Sequence, residues 1–236
     1  MKSLLIVALV AVASAASLAQ SLDVTGAVSV VRSKAGPGRA PDPSSAVVWL
    51  RPIDQGVPVR QPEPGKYEIR QQHKRFDPPV LAVPAGSVVA FPNLDPFFHN
   101  VFSLYDGKRF DLGLYEAGAS RSVTFDHAGI CYVFCNIHPE MAAAVVVLDT
   151  PYYALSNAAG EFRIAAVPAG RYLLFIWHQR GKPEHPESFP QHVIVGPDRN
   201  VLAPIRLVES DELVAPHTNK YGRSYDRASP AAGPYK

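Results

Sequence analysis

Short β-rich runs recur along almost the whole chain, and turn residues break them at nearly every step. The first runs are Leu22 to Val31 and Ala46 to Leu50. Next come Tyr67 to Gln71, Val80 to Val83, Ser87 to Phe91, Val101 to Leu104, Ser120 to Phe125, Ile130 to Cys135 and Ala142 to Leu148. Turn signals stand between them at Pro84-Ala85-Gly86, Asp106-Gly107, Glu116-Ala117-Gly118 and Ala128-Gly129. After Pro151 a second series covers Tyr152 to Leu155, Glu161 to Ile164, Tyr172 to Trp177, Gln191 to Val195 and Val201 to Val208. Short strands at this rhythm predict an antiparallel sandwich, and no segment carries a helical period. The predicted fold class is all-β.

The N-terminus reads differently. Lys2, an apolar run from Leu4 to Val12 and small residues around Ser17-Leu18-Ala19 form the pattern of an export signal over residues 1–19. Cleavage is expected after Ala19, with Ala15 the second choice, and no later run is apolar for long enough to span a bilayer. The expected location is the periplasm or the exterior. About 217 of the 236 residues then remain, enough for one large or two small domains with real cores. A formal charge of +2, or +1 without Lys2, gives no electrostatic case for nucleic acid.

The two cysteines, Cys131 and Cys135, lie four apart in one β-like run. At a rise of ~3.3 Å per residue their Cα atoms stand ~13 Å apart, beyond the ~7 Å limit for a bridge. A free thiol in an exported chain points to a metal ligand. Cys135, His138 and Met141 are spaced C-x2-H-x2-M. Trigonal copper sites use two His, one Cys and a weak axial Met, so one loop offers three of the four ligands. The fourth is expected from a distant His, and His99 in Asn93-Leu94-Asp95-Pro96-Phe97-Phe98-His99-Asn100 is placed for it.

Residues 66–149 resemble the cupredoxins, small blue-copper β-sandwich proteins, on the amicyanin and plastocyanin side of that group. The segment Val83 to Asn93 is similar to the family's G-x-x-V-x-F-x-N strand, which leads to a His followed by Asn, here His99-Asn100. Ala128 to Cys135 is similar to its G-x-Y-x-Y-x-C strand, and Ala144 to Leu148 stands where the closing strand belongs. The flanks carry a second resemblance. Ser156 to Leu174 is similar to the D-x-x-G-x-F-x-I-x-x-V-P-x-G-x-Y-x-L pattern of carboxypeptidase-regulatory-like, transthyretin-like sandwiches, with Gly26-Ala27-Val28 and Ala46 to Leu50 like their opening. The implied organisation is a Greek-key cupredoxin sandwich, 66–149, inserted in a second small sandwich made of 22–60 with 150–208. Two domains in series is the alternative. Residues 209–236 are expected to be a flexible tail.

The resemblance implies one type 1 copper ion held by His99, Cys135, His138 and Met141. Cys135 supplies the short thiolate bond, and Met141 a long axial contact that tunes the potential. Pro139 stiffens the loop by fixing φ. Asn100 is expected to hydrogen-bond across to the Cys loop, where Asn136 replaces the usual Ser or Thr. Cys131 alternates onto the same face as Cys135 and is expected to be a buried, inert thiol. The alternative is a dinuclear copper centre. That centre has C-x3-C-x3-H-x2-M spacing in cytochrome oxidase subunit II, and the gap between Cys135 and His138 here is one residue shorter.

The resulting expectation is a non-enzymatic electron carrier. Electrons leave through His138, beside an apolar patch of Phe97, Phe98, Pro139 and Ala142. The partner class is a c-type cytochrome or a periplasmic redox enzyme. Rival readings are copper trafficking with the same ligands, and an adhesion or scaffold module. His185 and His192 with Glu184 and Glu187 form a weaker candidate for a second metal site. No G-x-S-x-G, H-E-x-x-H or phosphate loop is present.

Overall fold

The computed structural model describes residues 21–32, 40–54, 61–104, 108–210 and 218–225. The expected export signal, 1–19, lies outside them. In chain order the strands are β1 (Ser21–Val31) and β2 (Val47–Pro52), followed by β3 (Lys66–Glu68), β4 (Arg70–Gln72), β5 (Arg75–Asp77), β6 (Val80–Pro84), β7 (Ser87–Pro92), β8 (His99–Ser103), β9 (Phe110–Tyr115), β10 (Ser120–Phe125), β11 (Gly129–Phe134) and β12 (Ala142–Leu148). The last six are β13 (Tyr153–Leu155), β14 (Glu161–Pro168), β15 (Gly170–Trp177), β16 (Gly181–Pro183), β17 (Gln191–Val195) and β18 (Ile205–Glu209). The protein is all-β: among the described residues the only helix is a 3₁₀ turn at Pro186–Ser188.

Pairing sorts the strands into two sandwiches. The sheets β10-β7-β3 and β6-β12-β11-β8-β9 use only the middle of the chain. The sheets β14-β1-β18-β16 and β13-β2-β15-β17 join its two ends. Each pair of sheets encloses its own core. Phe91, Val101, Phe125, Val133 and Val145 pack in the first, and Val24, Leu50, Ile164, Tyr172 and Leu207 in the second.

Not all the pairing is antiparallel, as the rhythm of the runs predicted. β1–β18, β6–β12 and β3–β7 run parallel. Parallel neighbours need a long crossover, and here the intervening chain passes through the opposite sheet. The corner between β6 and β7 is two residues long. There Gly86 adopts φ +86, and the backbone N–H groups of Ala85 and Gly86 donate to Leu148 and Phe125, one in each sheet.

β12 explains its own composition. Ala143, Val145 and Val147 face the core of the middle sandwich. Ala144, Val146 and Leu148 face the other way, against Val47 and Trp177 of the outer sandwich. A strand buried on both faces reads as a continuous apolar run, here AAAVVVL. Each fully buried Val or Leu in it contributes about 1.5–3 kcal/mol. The strand that carries the end of the Cys135–Met141 loop is thereby clamped from both sides.

Two expected strands differ. Tyr67 to Gln71 splits at Ile69, because β3 pairs with β7 and β4 turns to β5. β9 escaped the sequence pattern: Gly113 takes φ +69 there, and the register against β8 shifts between Asn100 and Phe102, so its alternation is broken.

Candidate metal centre

His99 is the first residue of β8, and Cys135 follows the last residue of β11. β11 pairs with β8 at Phe134–Phe102, which draws the two strand ends together. The loop from Cys135 to Met141 is closed by its own backbone. Cys135 N–H donates to the Met141 carbonyl at 3.2 Å, and Met141 N–H to the His138 carbonyl at 3.1 Å. Pro139 sits inside that short loop.

Three ligand-type atoms converge. Cys135 Sγ lies 3.8 Å from His99 Nδ1 and 3.7 Å from His138 Nδ1, and the two nitrogens are 3.2 Å apart. A point equidistant from all three lies about 2.1 Å from each, within the ~2.0–2.3 Å span of metal–nitrogen and metal–sulfur bonds. One soft sulfur and two imidazoles therefore fit a single transition-metal ion. Among the described residues this is the only cluster of three or more His, Cys, Asp or Glu side chains with such convergence.

Asp95, four residues before His99, fixes the tautomer. His99 Nε2 donates to Asp95 Oδ2 at 2.8 Å, which leaves Nδ1 with its lone pair facing Cys135 and His138. The Asp95 carboxylate also accepts the backbone N–H groups of His73 at 2.7 Å and Lys74 at 2.9 Å. Burial raises the carboxyl, but those N–H groups and His99 outweigh it and hold its pKa below the usual value. Burial pushes His99 down despite Asp95. The two downward shifts agree only if the bond is a neutral imidazole N–H on a carboxylate, and that is the state at neutral pH. His138 is likewise lowered, by burial and then by His99 beside it.

Cys135 is fully buried, and burial pushes its thiol up. The backbone N–H groups of Asn100, Ile137 and His138 oppose that by pointing at the sulfur. Phe97 stands against both imidazoles, its ring centroid 5.2 Å from His99 and 5.7 Å from His138. His99 is sealed from solvent while His138 is only partly covered.

The remaining expected residues fall as follows. Met141 is fully buried in the same core cluster as Cys135. Asn100 reaches Cys135 with its backbone N–H, not with its side chain. The Asn100 amide donates instead to Asp111 Oδ1 at 2.7 Å. Asn136 Oδ1 accepts the backbone N–H of Lys220 at 2.9 Å. Asn100 is thus linked to the Cys loop through its backbone N–H, while its side-chain amide and that of Asn136 bond elsewhere. Cys131 is free and buried, 3.3 Å from Ser103 Oγ, and lies outside the three-atom cluster. His185 bonds exposed Glu187, and Glu184 pairs with Arg206, so the second candidate cluster does not assemble.

Sequence reasoning passed over Asp95, Asp111, Lys220 and Tyr225. Asp95 had a local signal: an acidic residue four positions before a candidate ligand in one loop. The others had none, being brought in from separate parts of the chain.

No family model matches the chain, and no curated protein matches it. Solved structures similar to it include cupredoxins and a copper-containing nitrite reductase. A purple cupredoxin from Nitrosopumilus maritimus is 23% identical; the match covers 35% of this chain and 99% of that one, with a TM-score of 0.32. A reduced amicyanin variant is 25% identical over 34% of this chain and 80% of its own, with a TM-score of 0.33. A copper-containing nitrite reductase from Thermus scotoductus is 25% identical over 42% of this chain and 25% of its own, with a TM-score of 0.34.

Proposed function

We propose that this chain is an exported protein with one type 1 copper ion, and that it carries electrons between periplasmic redox partners without catalysing a reaction of its own. The observation that carries this reading is the triangle of His99 Nδ1, Cys135 Sγ and His138 Nδ1, with edges of 3.2–3.8 Å. His99, Cys135 and His138 would hold the metal, with Met141 as a fourth, weaker donor. Copper bound there supplies a one-electron couple.

The protein's own residues do the rest. Asp95 holds the His99 ring in one tautomer and orientation. Three backbone N–H groups surround the Cys135 sulfur and stabilise its thiolate. Loop closure through Met141 and the double-sided clamp on β12 keep the donor atoms in place whichever charge they face. Little rearrangement on a change of charge is what rapid electron transfer requires. Phe97 borders His138, and exposed Phe98 and Ile137 are the chain neighbours of Phe97 and His138. A small apolar surface suits a brief encounter with a c-type cytochrome or a periplasmic redox enzyme. Export is supported by the signal-like residues 1–19. No helix among the described residues is long and apolar enough to cross a membrane.

Anaerobic copper titration with optical and spin-resonance spectra tests the reading. One equivalent should give a strong visible sulfur-to-copper band, lost in Cys135→Ser and His99→Ala and kept in Cys131→Ser. A colourless protein that takes only copper(I) would overturn the carrier in favour of trafficking. Loss of the band in Cys131→Ser would overturn the single-ion site.

A further inference from the structure

The segment 218–225 lies far along the chain from the loop it touches. It is a built turn: Asn219 Oδ1 accepts the backbone N–H groups of Tyr221 and Arg223, and Asn219 N–H donates to the Arg223 carbonyl at 2.8 Å. Gly222, at φ +73, donates back to the Asn219 carbonyl. From this turn three bonds reach the metal centre. Lys220 N–H donates to Asn136 Oδ1 at 2.9 Å. Lys220 Nζ donates to Asp111 Oδ2 at 2.8 Å. The Tyr225 hydroxyl, partly buried, donates to the carbonyl of Cys135 itself at 2.8 Å.

These bonds act on both ligand-bearing elements. Asp111 Oδ1 holds the Asn100 amide, next to His99, and the other amide atom of Asn100 is buried without a donor. The path Asn100–Asp111–Lys220–Asn136 therefore joins the strand of His99 to the loop of Cys135 and His138. Tyr225 fixes the peptide group between Cys135 and Asn136. Turning that peptide would move the sulfur and also the N–H groups of Ile137 and His138 that point at it.

We propose that residues 218–225 are a strap belonging to the metal centre, and that Lys220 and Tyr225 are positioning residues that set the Cys135–His138 loop. The strap connects the side chains of Asn100 and Asn136 through Asp111 and Lys220. The role rests on the copper reading above for its purpose, but the strap's hold on Cys135 can be measured without metal.

The test uses the full chain, a chain ending at residue 217, and the single variants Tyr225→Phe and Lys220→Ala. In the metal-free proteins, the rate at which Cys135 reacts with a disulfide reagent is followed by mass spectrometry, which also distinguishes Cys131. Far-ultraviolet circular dichroism reports the fold. Truncation should raise Cys135 labelling by roughly tenfold or more, and Tyr225→Phe by several-fold, because losing one buried hydrogen bond shifts a local opening by about that factor. Cys131 labelling should stay unchanged. In the copper(II) forms the same variants should shift the visible band and its spin-resonance splitting. Labelling of Cys135 within about twofold of the full chain in folded Tyr225→Phe and Lys220→Ala overturns the proposal, whether or not the truncated chain folds. A full chain that shows no visible band refutes the copper reading alone, and the labelling result still decides the strap.

Discussion

Replacing Asp95 with Asn is the most informative single change near the site. Asp95 Oδ1 accepts from His73 N–H, and Oδ2 accepts from both Lys74 N–H and His99 Nε2. Asn keeps one acceptor oxygen. If its NH₂ takes the Oδ1 position, it faces the His73 donor. If it takes the Oδ2 position, it faces two donors, and a tautomer change at His99 relieves only one of the two clashes. That change moves the ring proton to Nδ1, the atom 3.8 Å from Cys135 Sγ, and removes it as a ligand. The side chains of Asp95 and His99 are 5% and 0% exposed, so solvent does not screen the bond between them. The cheaper orientation loses one charge-assisted bond and leaves the part-buried His73 N–H facing an NH₂ group, a cost of about 2–4 kcal/mol to the metal-free fold. For a chain of this size that corresponds to a fall in melting temperature of roughly 5–15 °C. Metal affinity should fall about tenfold, because His99 keeps its acceptor but that acceptor is now neutral. Competition with a chelator of known affinity and scanning calorimetry of the metal-free protein measure the two numbers. Metal affinity within twofold of the parent, together with an unchanged melt, would refute the argument that the Asp95 carboxylate anchors His99.

Three further outcomes follow from the same geometry. The Cys135 thiol is pushed up by burial while both imidazoles are pushed down, so metal loading at pH 7 should release about one proton, measured in weakly buffered solution; release near zero would mean that the thiolate is already formed. His99 and His138 titrate lower folded than unfolded, so the unfolded chain binds more protons as pH falls; stability of the metal-free protein should be fully present above about pH 6.5 and decline below it, with the lowered Asp95 and Asp111 adding a further loss below about pH 4 in urea melts. Gly160 sits at φ +82 with the backbone oxygen of Val28 only 2.0 Å from where a Cβ would stand; Gly160→Ala should cost more than about 2 kcal/mol in the outer sandwich, read by thermal melting, with the copper spectrum unchanged.

The local features of this protein are written locally. Strand positions from β6 to β12 follow from alternation and turn residues, because both act over a few neighbours; only β9, with its glycine and register shift, hides from that pattern. The Cys135–Met141 loop is legible for the same reason, since its spacing and its closing bonds lie within seven residues. What the sequence does not display is how distant groups meet. Nothing local says that β1 pairs with β14 and β18, or that β12 is buried on two faces by two different sandwiches. Nor does it reveal the donors of Asp95, which come from the turn at His73 and Lys74, 22 and 21 residues away.

The residue types and spacing along the chain determined the donor chemistry: one thiol and one imidazole in a short loop, a second imidazole upstream. The tertiary structure decided that these donors sit 3.2–3.8 Å apart, that Asp95 orients one of them, and that Lys220 and Tyr225 return from 84 and 90 residues beyond to hold the loop. The physical reason is that a side chain's identity is fixed by its position in the chain, whereas its partner is fixed by sheet pairing. Pairing depends on the summed burial of whole strands and on contacts no sequence window contains.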